Sequence, residues 1–317
     1  MRLMGRKVRR AQSCSWSLLA LVLLTGAGGA QGAAPSPICT QPTGGDANRP
    51  FPVCEVRPSI TNGPYLSAPT DTSATIVWMT DIPSHSRVIF GANGALNREI
   101  IPARDGMTPV IKLHSVRLTG LQPGQTYQYR VASTPVLELN TYWPKKGIEL
   151  QSATFSFTTF DSRKTTASFA SISDTHASIA RIDSLMRMID WPTTDFLLHT
   201  GDAFDGVTSE AMVWDRWLDP IINGGLRQKT PLIFARGNHD TRGPVARELT
   251  NHVPIEEGRF YFARDVGPVH LLVIDTGEDK PYERGYTKGY VDGKFFSGNM
   301  TCLPFVEDPD LDPSSLF

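Results

Sequence analysis

The sequence has no excess of charge of either sign: 31 Lys and Arg stand against 32 Asp and Glu in 317 residues. Without a strong field it has nothing to draw nucleic acid or anionic lipid to its surface, so neither is expected as a partner. It also lacks an apolar run of the roughly 20 residues that a membrane span needs. The longest candidate, Trp16 to Leu24, is far too short. Cysteine is scarce, at four residues, so the fold rests on its 40% hydrophobic content, ample for buried cores and, at this length, for two domains.

The charge balance is broken at the N-terminus. Arg2, Arg6, Lys7, Arg9 and Arg10 precede the apolar stretch, and small residues from Ala27 to Ala34 follow it. This is the pattern of a secretory leader over residues 1–32, with an uncleaved anchor as the alternative. Arg9-Arg10 also hints at twin-arginine export, but Gln12 and Ser13 stand where that signal has bulky apolar residues. Without the leader, 26 basic side chains face 32 acidic ones. The expected location is secreted, periplasmic or extracellular, with no membrane contact beyond the leader. Cys14 leaves with the leader, and Cys39 and Cys54 flank a Pro/Gly/Asn-rich stretch that a disulfide can close in an oxidising compartment. Free thiols are the alternative, and Cys302 has no evident partner.

Residues 33–58 read as a linker or a loosely tied N-terminal arm. From 59 to 160, short β-branched or alternating runs recur between turn signals, at 73–80, 86–90, 109–118, 126–131 and 153–159. That spacing predicts an all-β sandwich. Trp78 sits centrally in an early strand, and Leu121-Gln-Pro-Gly-Gln-Thr-Tyr127 puts a tyrosine just after a Pro-Gly turn, as in a tyrosine corner. The region resembles a fibronectin type III domain, and Gly63 through Val131 resembles the N-terminal domain of purple acid phosphatases. His85 and His114 are expected as surface or packing residues.

Over 161–276 the pattern changes to alternating strand and helix. Strands are predicted at 167–173, 196–199 and 231–235. A helix is predicted near 178–190, and a second contains Met212, Trp214, Trp217, Leu218 and Ile221. Each strand is followed by polar residues: Asp174-Thr-His176, Gly201-Asp202 and Gly237-Asn238-His239-Asp240. Loops beyond the carboxyl ends of such strands bound the ligand crevice of an open α/β sheet. Asp174 and His176 can converge on one cation, Asp202 can bridge two, and the Asn238 amide oxygen suits a second ion.

Together the three motifs resemble the calcineurin-like metallophosphoesterase superfamily, whose order D-x-H, G-D-x-x-D, G-N-H-D/E is matched by Asp174 to His176, Gly201 to Asp205 and Gly237 to Asp240. The resemblance implies an αββα sandwich, of which residues 161–276 supply the first half. It implies two divalent or mixed-valence ions (Mn, Fe or Zn), with Asp174 and His176 on the first, Asp202 bridging and Asn238 on the second. His239 is then the acid facing the leaving group, Asp205 orients it, and Asn238 touches the phosphoester substrate. Arg236 is a further candidate for the phosphate, with charge balance as its alternative role.

The chain departs from the purple enzymes, which carry D-x-G and a tyrosine in G-D-x-x-Y; here those positions hold His176 and Asp205, so a colourless Mn, Fe(II) or Zn site is expected. The family adds a later lone histidine and a G-H-x-H motif, whereas no histidine follows His270. His252 and His270 are expected to be structural, the segment 277–317 irregular and the domain truncated. Asn299-Met-Thr301 matches a glycosylation sequon. The function that follows is a metal-dependent phosphomonoesterase. The competing readings are an inactive metal-binding or interaction protein and a phosphodiesterase acting on nucleotides.

Overall fold

A computed structural model describes residues 38–40, 53–141, 144–255, 258–275 and 277, with the backbone of 289–291 and 294–296. The leader, most of the linker, the sequon and Cys302 lie outside these residues. Near the N-terminus, β1 (Cys39–Thr40) and β2 (Val53–Cys54) pair antiparallel and are joined by a Cys39–Cys54 disulfide. The stretch expected as a linker is therefore partly built.

The first part is mostly β: β3 (Ile60–Ser67), β4 (Ala74–Ala92), β5 (Arg98–Ile100), β6 (Ile111–Leu118), β7 (Thr126–Glu138), β8 (Lys145–Lys146), β9 (Leu150–Gln151) and β10 (Phe155–Thr158). The runs expected as separate strands at 73–80 and 86–90 are one strand, β4, of 19 residues. It changes partners at a register shift between Met79 and Ser84, from β6 to β7. Pro83 lies in that shift, where its missing amide hydrogen does not interrupt a ladder. Trp78 is fully buried and donates its indole N–H to Ser133 Oγ at 3.0 Å. The Tyr127 hydroxyl accepts from the Gln122 amide at 2.9 Å, so the predicted corner is formed.

The second part runs β11 (Phe169–Ile172), α1 (Ile179–Arg187), β12 (Phe196–His199), α2 (Glu210–Val213), α3 (Asp219–Ile221), β13 (Leu232–Phe234), α4 (Leu249–His252), β14 (Phe262–Val266) and β15 (Val269–Val273). π-helical turns, Trp214–Leu218 and Ile222–Leu226, flank α3. Gly224 and Gly225 sit in the second of them, although glycine costs about 1 kcal/mol in a helix. Close approach is the reason: a Cβ on Gly225 would lie 1.7 Å from the Trp191 ring, and one on Gly224 2.7 Å from Met186.

Strands β11, β12 and β13 are parallel, and β13 continues into β3 through Leu232 and Ser67. Alternation along them divides the core. Leu197, Leu232 and Phe234 join Ile182, Trp214 and Trp217 on the helical face, while Phe196, Leu198 and Ile233 meet Val266 and Phe262 of the β14–β15 hairpin on the other. Burial on both faces explains why these strands read as continuous apolar runs. Tyr65 and Val77 of the first part belong to the helical-side cluster, and Trp214 and Trp217 are core, as expected. In the segment expected to be irregular, β16 (Gly289–Val291) and β17 (Lys294–Phe296) form a short antiparallel pair. Among the described residues no helix is long and apolar enough to cross a membrane.

Candidate metal centre

Three parallel strands in register deliver the three motif loops to one end of the sheet: Ile172 lies beside His199, and His199 beside Phe234. The first two loops are zipped together. The amides of Asp174, His176 and Ala177 donate to the carbonyls of Gly201, Asp202 and Ala203 at 3.1, 3.1 and 2.7 Å. To do so, Asp174, His176, Ala177 and Asp202 adopt left-handed φ angles of 54°, 47°, 52° and 53°. Such a conformation costs a non-glycine residue about 1 kcal/mol or more and collects at functional sites. Arg181 and Arg216 brace the turn from outside, donating to the carbonyls of Asp174 and Ala177.

The third loop is tied in by carboxylates. Asp202 Oδ1 accepts from the His239 amide at 3.1 Å. Asp240, fully buried, accepts from the amides of Gly237 at 2.8 Å and Phe204 at 3.2 Å. Burial raises its carboxyl to about 6, against the pull of those amides. Glycine is required at both crossings: a Cβ on Gly201 would lie 2.5 Å from the Gly237 nitrogen, and one on Gly237 2.3 Å from Asp202 Oδ1.

The loops bring together Asp174, His176 and Asp202, whose ligand atoms lie within 4.8 Å of one another, and likewise His176, Asp205 and His239. His176 belongs to both groups. Its Nδ1 is buried and makes no hydrogen bond, although Asp205 Oδ1 approaches to 2.8 Å. Carboxylate and imidazole donors gathered this closely suit a divalent cation of borderline hardness, so the residues present fit the metal the motifs imply. Asn238 is half-buried and leads into the turn His239–Thr241.

One expected contact comes out differently. Asp205 is 3.9 Å from His239 Nδ1, too far for the predicted dyad, and lies against His176 instead. Arg242 occupies the face of His239, with Nη1 2.8 Å from Nδ1 and 3.2 Å from Nε2. Arg236 points its guanidinium at Asp275, with Nη2 2.5 Å from Oδ2, and lies over the Phe260 ring at 4.2 Å. The charge-balancing alternative is thus the contact observed. Sequence reasoning assigned no role to Asp240, Arg181 or Arg242. Asp240 had a signal in its place beside Asn238 and His239, but Arg181 acts through a backbone carbonyl and Arg242 through the His239 ring nitrogens, contacts that spacing does not encode.

Residues 167–305 match the family model of the calcineurin-like phosphoesterases, and residues 62–159 that of the purple acid phosphatase N-terminal domain. The chain thus carries a calcineurin-like phosphoesterase domain behind a purple acid phosphatase N-terminal domain. The family that residues 167–305 match implies divalent metal ions. Among solved structures, a purple acid phosphatase from yellow lupin (Lupinus luteus) seeds is 15% identical with a TM-score of 0.49, covering 73% of this chain and 48% of its own. PhoD is 12% identical with a TM-score of 0.43, covering 69% and 53%. The chain therefore spans about half the length of either. No curated protein matches the sequence.

Proposed function

We propose that this protein is a metal-dependent phosphoester hydrolase, a phosphomonoesterase with a dinuclear centre of Mn, Fe or Zn. The observation that carries the reading is the convergence of Asp174, His176 and Asp202 within 4.8 Å at the carboxyl ends of parallel strands. In this reading Asp174 and His176 hold the first ion, Asp202 bridges, and Asn238 holds the second and contacts substrate. Bound ions supply charge neutralisation of the phosphoryl oxygens and activation of water for in-line attack.

The chain's own residues do the rest. His239 passes a proton to the departing oxygen. Asp205, with a side chain 78% exposed, is free to turn from His176 toward His239 and hold its ring. Arg236, neutralised by Asp275, holds the entry to the Gly237–Asn238 loop in place of touching phosphate. Export through the leader agrees with the Cys39–Cys54 disulfide, which suits an oxidising compartment.

A second reading, metal binding without turnover, is favoured by one observation: the two donor groups share His176, so both cannot be complete shells at once. Calorimetric titration with Mn²⁺ separates the two. Two ions per chain are expected; one ion supports the half-built site, and none sinks both. Comparison of p-nitrophenyl phosphate with its bis ester then sets the substrate class, since faster turnover of the bis ester would favour a phosphodiesterase.

A further inference from the structure

We infer that Thr175 and His199 form a buried positioning couple that fixes the Asp174–His176 turn against the Gly201–Ala203 turn, setting the metal donors in place before any ion arrives. The inference rests on the reading of Asp174, His176 and Asp202 as metal ligands. Both side chains are fully buried.

The hydrogen-bond directions follow from the one donor that has no choice. The Gly201 backbone N–H donates to His199 Nδ1 at 3.3 Å, so that nitrogen is bare and, in a neutral ring, Nε2 carries the hydrogen. Burial pushes the His199 imidazole down to about 3, which keeps the ring neutral. Nε2 then donates to Thr175 Oγ1 at 3.0 Å, leaving the hydroxyl hydrogen to point to the Ala203 carbonyl at 3.4 Å. The result is a directed chain from one end of the second loop, through the strand-end imidazole, into the first loop and back to the second.

Thr175 stands between Asp174 and His176, both held in left-handed conformations that relax unless something opposes it. Its hydroxyl is the interior anchor of that turn. Trp217 packs edge-on to His199, ring centroids 5.4 Å apart, and its own indole nitrogen makes no hydrogen bond. It wedges the imidazole without joining the chain.

The tautomer is read from the imidazole nitrogen chemical shifts of His199 in the metal-free protein: bare Nδ1 and protonated Nε2 are expected, and the opposite tautomer overturns the couple. Thr175→Val keeps the shape and removes the hydroxyl, and its Mn²⁺ affinity should fall about 10–100-fold, the usual effect of losing a residue that orients a ligand. Thr175→Ser, which retains the hydroxyl, should bind close to wild type. Trp217→Phe controls for loosened packing and should lower the melting temperature while leaving affinity intact. Undiminished affinity in Thr175→Val, or an equal loss in Trp217→Phe, overturns the inference. If the valine variant does not fold, lost affinity in Thr175→Ser overturns it equally. A wild-type chain that binds no Mn²⁺ counts against the metal reading, while the tautomer still decides the couple.

Discussion

A methyl group at Gly237 has nowhere to go, because it would meet Asp202 Oδ1 at 2.3 Å and the Asp202 amide nitrogen at 2.4 Å. Backbone cannot rotate away as a side chain can, so Gly237→Ala must displace the second loop. The expected result in a calorimetric titration is Mn²⁺ affinity weakened by at least about tenfold, in line with other disturbances of ligand-orienting contacts. The meeting of Asp174, His176 and Asp202 was legible in the sequence because polar residues that must converge at strand ends are written as spacing. The partners of Asp205 and Arg236 were not. Each has several acceptors or donors within reach, and which one it meets depends on loop geometry and on Phe260 and Asp275, residues distant in the chain.

Between the two parts the decisive link is β3. The Tyr65 hydroxyl donates to the His252 carbonyl, and Ser67 Oγ donates to the Pro254 carbonyl at 2.8 Å. Tyr65→Phe leaves a buried carbonyl unsatisfied and should cost about 1–3 kcal/mol in urea unfolding. Because Tyr65 and Val77 share a core with Trp214 and Leu232, unfolding monitored by calorimetry should show one transition; two separated transitions would mean the cores are independent. Strand positions in the second part were readable because Phe196-Leu-Leu and Pro231-Leu-Ile-Phe are apolar on both faces. The continuous β4 was not, since the polar residues and Pro83 at its centre mimic a turn. Strand β14 escaped notice for a related reason: Phe-Ala-Arg-Asp-Val carries charges on a half-exposed edge and shows little apolar alternation.

At the scale of the whole molecule, buried histidines set the response to acid. Burial lowers His114 and His252 to about 4, against about 6.5 for an unfolded histidine. Between those values the unfolded chain binds protons the folded one does not, so stability is full above about pH 6.5 and declines toward pH 4. Asp240 acts oppositely, since a carboxyl raised to about 6 favours the fold at low pH, but His199 adds to the histidine side. The melting temperature should therefore fall as pH drops from 6.5 to 4. The fall should be shallower in His252→Gln, whose side-chain oxygen can still accept from the Trp214 indole that now donates to Nδ1. A melting temperature that rises over this range would show the histidine assignment to be wrong. The central claim, that loops from three parallel strands build a hydrolytic metal site, is tested most directly by p-nitrophenyl phosphate hydrolysis with added Mn²⁺, comparing the full chain with Asp202→Ala. Metal-dependent turnover in the wild type that falls to background in the variant is predicted; equal background rates in both proteins would contradict the account.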